Sequence, residues 1–164
     1  MEKHKTCSFF GHREVIDKEA LHERLVKELV DLIPHKYSRF LVGSHGEFDK
    51  VALSACLKYR EIFDSSIKIN VVLTNLSSLN KTNQYKFDYY KSKNCEIVFY
   101  DIEKVHFKRC ISFSNKKMVD DSDLIICYVD MQSYKSGAKT AVNYALKHNK
   151  KVINLFSREN KRLI

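Results

Sequence analysis

Short apolar runs alternate with amphipathic helical segments along most of this 164-residue chain. Runs typical of buried strands occur at residues 6–10, 39–42, 67–74, 124–129 and 152–156. Segments with apolar residues three or four positions apart, which predict helices, occur at 17–33, 48–63, 107–119 and 136–148. Residues 96–100 are a candidate for one more short strand, and the polar, Tyr- and Lys-rich segment 75–94 is predicted to be a loop or flap.

This alternation predicts βαβ units with right-handed crossovers and a mostly parallel sheet. Because the strand segments are continuously apolar, both faces of the sheet are expected to be covered by helices. We therefore predict an α/β, Rossmann-like, three-layer α/β/α fold, with a single domain over residues 1–164. The default order of the five main strands in such a doubly wound sheet is 3-2-1-4-5.

Composition narrows the class of protein further. Hydrophobic residues make up 44% of the chain and charged residues 30%, as in globular proteins. No apolar window is long enough to span a membrane, and the N-terminus does not resemble a secretory signal, so we expect a cytoplasmic protein without a membrane partner. Five widely spaced cysteines predict reduced core thiols and no metal site.

The net charge of +9 permits attraction to phosphates or nucleic acid. Basic and acidic residues alternate along the helical segments, however, and no block of five like charges occurs. This pattern favours solvated helix faces over a dedicated nucleic-acid surface.

All four glycines lie in three segments that each follow an apolar run and precede a helical pattern. At the carboxyl ends of parallel strands, such turns present backbone N–H groups to anionic ligands. In a 3-2-1-4-5 sheet the first and third of these turns flank one crevice, and the second lies beside them. The sequence therefore predicts a nucleotide or phosphate site formed by three loops.

The first turn contributes Gly11, His12 and Arg13 as candidate ligand-binding residues. Glycine lets a ligand approach the backbone closely, and the arginine guanidinium offers a fork of donors to a phosphate or carboxylate. Histidine can donate or accept a proton near neutral pH.

The second turn contributes Gly43, Ser44, Gly46 and Asp49. Two glycines three residues apart allow the backbone to surround a phosphate or contact a sugar. Asp49 is predicted either to accept ribose hydroxyls or to cap the helix that it opens, and the two roles are compatible.

The third turn contributes Ser136, Gly137, Lys139 and Thr140. Ser136 is predicted to cap the helix that follows it, and the N-terminus of that helix would favour a bound phosphate. Neither a P-loop motif nor a G-x-G-x-x-G motif is present, which disfavours an ordinary NAD-binding domain, and no cofactor is predicted.

Taken in order, the motifs F-x-G-H-R, G-x-x-G-x-F-D and N-x-x-M-V-x-x-S-D, followed by an S-G-A turn, resemble the SLOG superfamily. This superfamily includes the LOG phosphoribohydrolases, the DNA-processing protein DprA and YpsA-like proteins. The chain is most similar to small bacterial YpsA-like stand-alone domains, over roughly residues 5–156. The resemblance implies a Rossmann-like fold, a nucleotide-derived ligand and a homodimer, and it adds Asn115 and Asn143 to the candidate ligand-binding residues.

The resemblance also bears on catalysis. LOG enzymes use an arginine and a glutamate for N-glycosidic cleavage, and the matching positions here hold Ser114 and Asn143. A neutral amide can hydrogen-bond a ribose but cannot stabilise the positive charge that develops on the sugar. Asp49, Glu47 or Asp130 could substitute for the missing acid.

Three hypotheses of function follow. The first is a sensor or sequestering module that binds a nucleotide or nucleotide-derived small molecule. The second is a LOG-like phosphoribohydrolase or related N-glycosidase that uses Asp49 with Arg13. The third, which is disfavoured, is DprA-like nucleic-acid binding through the flap, with Tyr and Phe side chains stacking on bases and lysines following the phosphates. The flap residues concerned are Lys81, Tyr85, Lys86, Phe87, Tyr89, Tyr90 and Lys91.

Overall fold

The computed structural model describes residues 4–75 and 83–157, which form the predicted α/β fold. The strands in these ranges are β1 (Lys5–Gly11), β2 (Tyr37–Val42), β3 (Lys68–Val72), β4 (Glu96–Val98), β5 (Leu124–Tyr128) and β6 (Lys151–Asn154). The α-helices are α1 (Lys18–Asp31), α2 (Gly46–Ile62), α3 (Gln84–Ser92), α4 (Cys110–Asp120) and α5 (Gly137–Lys147). Short 3₁₀ turns are formed by Ile33–His35, Ile102–Lys104 and Phe107–Arg109.

The strands make one parallel sheet in the order β4-β3-β2-β1-β5-β6. The predicted order of the five main strands is confirmed, and the extra short strand, β4, is added at the β3 edge. The chain runs from β1 outward to β4 and then returns to the other side of β1 with β5. The carboxyl ends of β1 and β5 therefore border the crevice at which the strand order reverses.

Helices cover both faces of the sheet, and each face has its own apolar core. Side chains that alternate along β1 enter opposite cores, because successive residues of a strand point to opposite faces. Phe9 packs in the core beneath α1 and α2, which includes Leu25 and Phe48. Phe10 packs in the core beneath α4 and α5, which includes Met118 and Val142. The three-layer arrangement follows from this division.

The ends of α1 and the start of α5 agree with the sequence signals. The Asp17 carboxylate caps α1 by accepting from the Ala20 N–H at 3.0 Å, and Pro34 lies in the 3₁₀ turn that follows the helix. The Ser136 hydroxyl caps α5 by accepting from the Lys139 N–H at 3.1 Å. All five cysteines are buried free thiols, as predicted.

The prediction of a loop over residues 75–94 is wrong for its second half, because Gln84–Ser92 is the helix α3. Phe87 and Tyr90, three positions apart, pack against the core and hold this helix on the sheet. The amphipathic pattern is hidden in the sequence because the outer face is aromatic too: Tyr85 is 66% exposed and Tyr89 is 49% exposed. The first half of the predicted flap, residues 76–82 with Lys81, lies outside the described residues.

Within residues 4–75 and 83–157, none of the helices combines the length and the apolar character needed to cross a membrane.

Candidate functional site

A cavity of about 420 Å³ lies at the carboxyl ends of β1, β2 and β3, between the N-terminal turns of α2 and α5 and one face of α4. Its volume falls within the roughly 300–1,000 Å³ that is usual for small-molecule sites. Nine of the predicted ligand-binding residues line it: Gly11, His12, Arg13, Gly43, Ser44, Asp49, Asn115, Ser136 and Gly137. The topology thus brings all three predicted turns together around one cavity.

Three of the four glycines are required by packing in or beside the walls of this cavity. A Cβ on Gly11 would lie 2.1 Å from Cγ of the buried Phe48 ring. A Cβ on Gly43 would lie 2.7 Å from the Asp49 carboxylate, and Gly46 has a φ of +86° with its missing Cβ against the Arg13 backbone. These glycines let α2 dock closely onto β1 and onto the loop that follows it.

Gly137 is different, because nothing lies within 4 Å of the position where its Cβ would be. Gly137 also lines the cavity. The Gly137 backbone can therefore be approached by a ligand. The same role was predicted for Gly11, Gly43 and Gly46, but close packing accounts for those three.

Two N–H groups in the first turn of α2 are already used by the β1–α1 loop. The Glu47 N–H donates to the Arg13 carbonyl at 2.8 Å, and the Phe48 N–H donates to the His12 carbonyl at 3.4 Å. The Glu47 carboxylate also accepts from the Val15 N–H at 2.7 Å and pairs with Lys18 at 2.9 Å. These bonds fix the loop that carries Arg13, and they leave little of the α2 N-terminus for an anion.

At the start of α5, in contrast to α2, the first two N–H groups are not used by a neighbouring loop that the structure describes. Lys139 N–H donates to the Ser136 hydroxyl, and Thr140 N–H donates to the Ser136 carbonyl at 2.9 Å. The N–H groups of Gly137 and Ala138 have no hydrogen-bond partner among the described residues, and both residues line the cavity. Two free N–H groups at the positive end of a helix dipole favour an anionic group there.

Asp49 is the acidic residue in the cavity lining. Its carboxylate accepts from the His45 N–H at 2.7 Å. The prediction that Asp49 opens and caps its helix is wrong, because α2 begins at Gly46 and His45 holds the cap position. Burial raises the pKa of the Asp49 carboxyl to about 7, and the hydrogen bond from His45 offsets only part of that shift. Near neutral pH this side chain can therefore either donate or accept a hydrogen bond in the cavity.

Two polar residues of the lining were not predicted as site residues. His45 Nε2 is 2.6 Å from Thr74 Oγ1, which joins the β2–α2 turn to the end of β3. Burial, followed by the positive charges of Arg13 and Lys86, lowers the pKa of His45 and so disfavours the protonated ring. A polar residue at the carboxyl end of each parallel strand is the signal that could have identified both.

His12 holds two loops of the site together. Its Nε2 accepts from the Asp130 N–H at 2.8 Å, which requires an unprotonated Nε2 and links the β1–α1 loop to the β5–α5 loop. The ring packs edge-on against Tyr128 and Phe156, with centroid distances of 6.3 Å and 6.0 Å. His12 thus lines the cavity and also positions the segment that leads to α5.

Helix α4 contributes one stripe of its surface, formed by Ile111, Asn115 and Met118. These residues are three or four positions apart and so share a face. Ser114, at the position matching the LOG arginine, is fully buried instead, and its hydroxyl has no partner among the described residues. Of the three substitute acids, Asp49 lines the cavity, whereas Glu47 is bound to Val15 and Lys18 and the Asp130 carboxylate accepts from the Gln132 N–H.

Four predicted residues do not line the cavity, and their inclusion in this site is corrected. Lys139, Thr140 and Asn143 lie in a separate groove between α4 and α5, because the helix turns them away after its first two residues. Lys139 Nζ donates there to the Ser133 carbonyl at 2.8 Å. Gly46 is packed against Arg13 and serves the turn that supports the site.

Fold and site together define a Rossmann-like α/β/α protein with a cavity at the carboxyl ends of its parallel strands. No protein-family model and no curated protein matches the chain. Among solved structures, the chain is similar to the Moco carrier protein from Chlamydomonas reinhardtii, with 14% sequence identity and a TM-score of 0.50. The alignment covers 98% of this chain and 82% of the other, and at this identity it establishes the fold alone.

Proposed function

We propose that this chain binds a nucleotide or nucleotide-derived small molecule in the β1–β3 cavity, as a sensor or sequestering module. The observation that carries the proposal is the pair of free N–H groups at Gly137 and Ala138, which share a cavity with Arg13. A helix N-terminus and a guanidinium are two of the strongest protein ligands for phosphate. The Asn115 amide and the Asp49 carboxyl offer hydrogen bonds to a sugar or base.

Two further points support binding of this class of ligand. The resemblance to the SLOG superfamily implies a nucleotide-derived ligand for the same three turns. The similar solved structure is named as a carrier of Moco, which agrees with a role in binding; the ligand class proposed here rests on this chain's own residues. The homodimer implied by the resemblance stays a prediction.

Arg13→Ala and Gly137→Trp should each weaken binding of nucleoside 5′-monophosphates at least about tenfold. The first removes charge-assisted hydrogen bonds worth roughly 1.5–3 kcal/mol, and the second fills the open space at the α5 N-terminus. Isothermal titration calorimetry with a panel of nucleoside 5′-monophosphates measures both effects. Arg24→Ala, which removes the same charge from an exposed position on α1, is the matched control and should leave affinity unchanged. Full affinity in both cavity variants would show that this cavity is not the binding site.

A second candidate function is LOG-like N-glycosidic cleavage, and the position of Asp49 favours it. A cavity carboxyl with a pKa of about 7 is suited to act as a general acid or base, or to stabilise positive charge on the sugar. Against it, Ser114 is buried and Asn143 lies outside the cavity. Incubation with the same panel decides between the two: free base released by the wild type and not by Asp49→Asn would establish an enzyme. Saturable binding without release would establish a binding module.

A further inference from the structure

A second concave surface, the α2–α3 groove, opens beside the cavity and has a volume of about 1,130 Å³. It shares Gly43, Ser44 and Asp49 with the cavity, so the two spaces meet at the β2–α2 turn. Arg13 lines the cavity and Lys86 lines the groove, and the positive charges of both lower the pKa of His45 in this turn. A molecule seated in the cavity can therefore extend into the groove.

The groove has the side chains that recognise phosphates and aromatic rings. Lys50 and Lys58 of α2 face it together with Lys86 of α3 and with Lys93, which follows that helix, whereas Glu61 and the shared Asp49 are the acids of its lining. Lysines in excess over carboxylates attract a second anionic group.

Aromatic rings stand on the α3 side of the groove. Tyr85 and Tyr89 are 66% and 49% exposed, and they lie one helical turn apart on the same helix face. Lys93 Nζ lies 5.9 Å from the centroid of the Tyr89 ring, so a cation and an exposed ring are available together. Exposed tyrosines of this kind provide stacking surfaces for bases.

We propose that the ligand is longer than a mononucleotide: a dinucleotide, or a nucleotide with a second anionic and ring-bearing half, that spans the cavity and the α2–α3 groove. This inference rests on the proposed function, because the first phosphate occupies the α5 N-terminus in the cavity. The second half lies among the groove lysines, with its ring against Tyr85 and Tyr89. The shared turn at Gly43 and Ser44 forms the floor beneath the connecting phosphate.

The test compares nucleoside 5′-monophosphates with the corresponding 5′-phosphorylated dinucleotides by calorimetry. The wild type should bind the dinucleotide at least about tenfold more tightly, as one added base stack implies. The double variant Tyr89→Ala/Lys93→Gln should reduce dinucleotide affinity to the level of the mononucleotide and leave the mononucleotide affinity unchanged. Tyr89→Phe keeps the ring and should keep the preference, and Lys27→Gln on α1 is the matched charge control.

Equal affinity for the two probes in the wild type, or equal weakening of both in the double variant, would overturn the inference. Affinity that continues to rise from the dinucleotide to a ten-nucleotide strand would overturn it as well, in favour of single-stranded nucleic acid. If the mononucleotide binds and responds to Arg13→Ala while the groove variants have no effect, the proposed function stands and this inference fails. If neither probe responds to Arg13→Ala or Gly137→Trp, both fail.

Discussion

Asp49→Asn should raise the free energy of unfolding at pH 8 by about 2–4 kcal/mol and should have little effect at pH 4. Burial in the cavity wall raises the pKa of this carboxyl to about 7 from an ordinary value of 3.8. Asparagine has nearly the same shape and can still accept from the His45 N–H through its carbonyl oxygen. It removes the cost of a buried charge.

The direction of this pH dependence follows from the pKa of the Asp49 carboxyl in the folded protein and its pKa in the unfolded protein. Below about pH 4 the carboxyl is protonated in both the folded and the unfolded protein, so its ionisation does not change the free energy of unfolding. Between about pH 4 and pH 7 only the folded state retains the proton, so the wild type loses stability as the pH rises through this window. Above about pH 7 the full cost is present, and only there does the asparagine variant gain its full advantage.

Urea unfolding followed by circular dichroism at pH 4 and pH 8 measures this effect. Asp31→Asn, at an exposed position near the end of α1, is the matched control and should change stability by less than about 0.5 kcal/mol at either pH. A variant no more stable than the wild type at pH 8 would show that burial of the charged Asp49 carboxylate does not lower the stability of the folded protein.

Gly11→Ala should destabilise the protein by at least about 1–3 kcal/mol, the usual cost of overpacking a core, and it should do so without changing any charge. The added Cβ would lie 2.1 Å from Cγ of Phe48, whose ring is fully buried and stacked on Tyr128 with a centroid distance of 6.3 Å. The ring cannot move away from the methyl group without disturbing that stack.

Gly137→Ala is the matched comparison, since the same methyl group enters open space. It should leave stability within about 1 kcal/mol of the wild type and could increase it, because alanine favours a helix over glycine. Chemical denaturation of both variants measures the difference. Similar losses in both would contradict the assignment of Gly11 to packing and of Gly137 to the open cavity.

The fold was largely predictable because its strongest determinant is visible in the sequence. Continuous apolar strands alternating with helical segments leave few topologies, and the strand order that results is the predicted one with β4 added at an edge. The helix α3 escaped prediction because Tyr85 and Tyr89 make its outer face as aromatic as its inner face. Its burial against the core depends on Phe87 and Tyr90, which are only partly covered.

The location of the cavity was predictable for the same reason, because parallel strands place their carboxyl ends at one edge. The roles of individual residues were not. The sequence cannot distinguish a glycine that is needed for close packing from a glycine that borders open space. Only the spatial neighbours of Gly11 and Gly137 in the folded protein separate the two cases. The rotation of α5 after Ala138, which turns Thr140 and Asn143 towards α4, likewise depends on where the helix begins.

The most direct test of the central claim is a titration of ¹⁵N-labelled protein with nucleoside 5′-monophosphates and 5′-phosphorylated dinucleotides, followed through the backbone amide signals of Gly137 and Ala138. We predict saturable shifts of both signals, together with shifts in the turns that carry Arg13 and Ser44, and loss of these shifts in Gly137→Trp. No saturable shift at these amides up to millimolar concentrations, or saturable shifts confined to another part of the protein, would contradict a nucleotide site in this cavity.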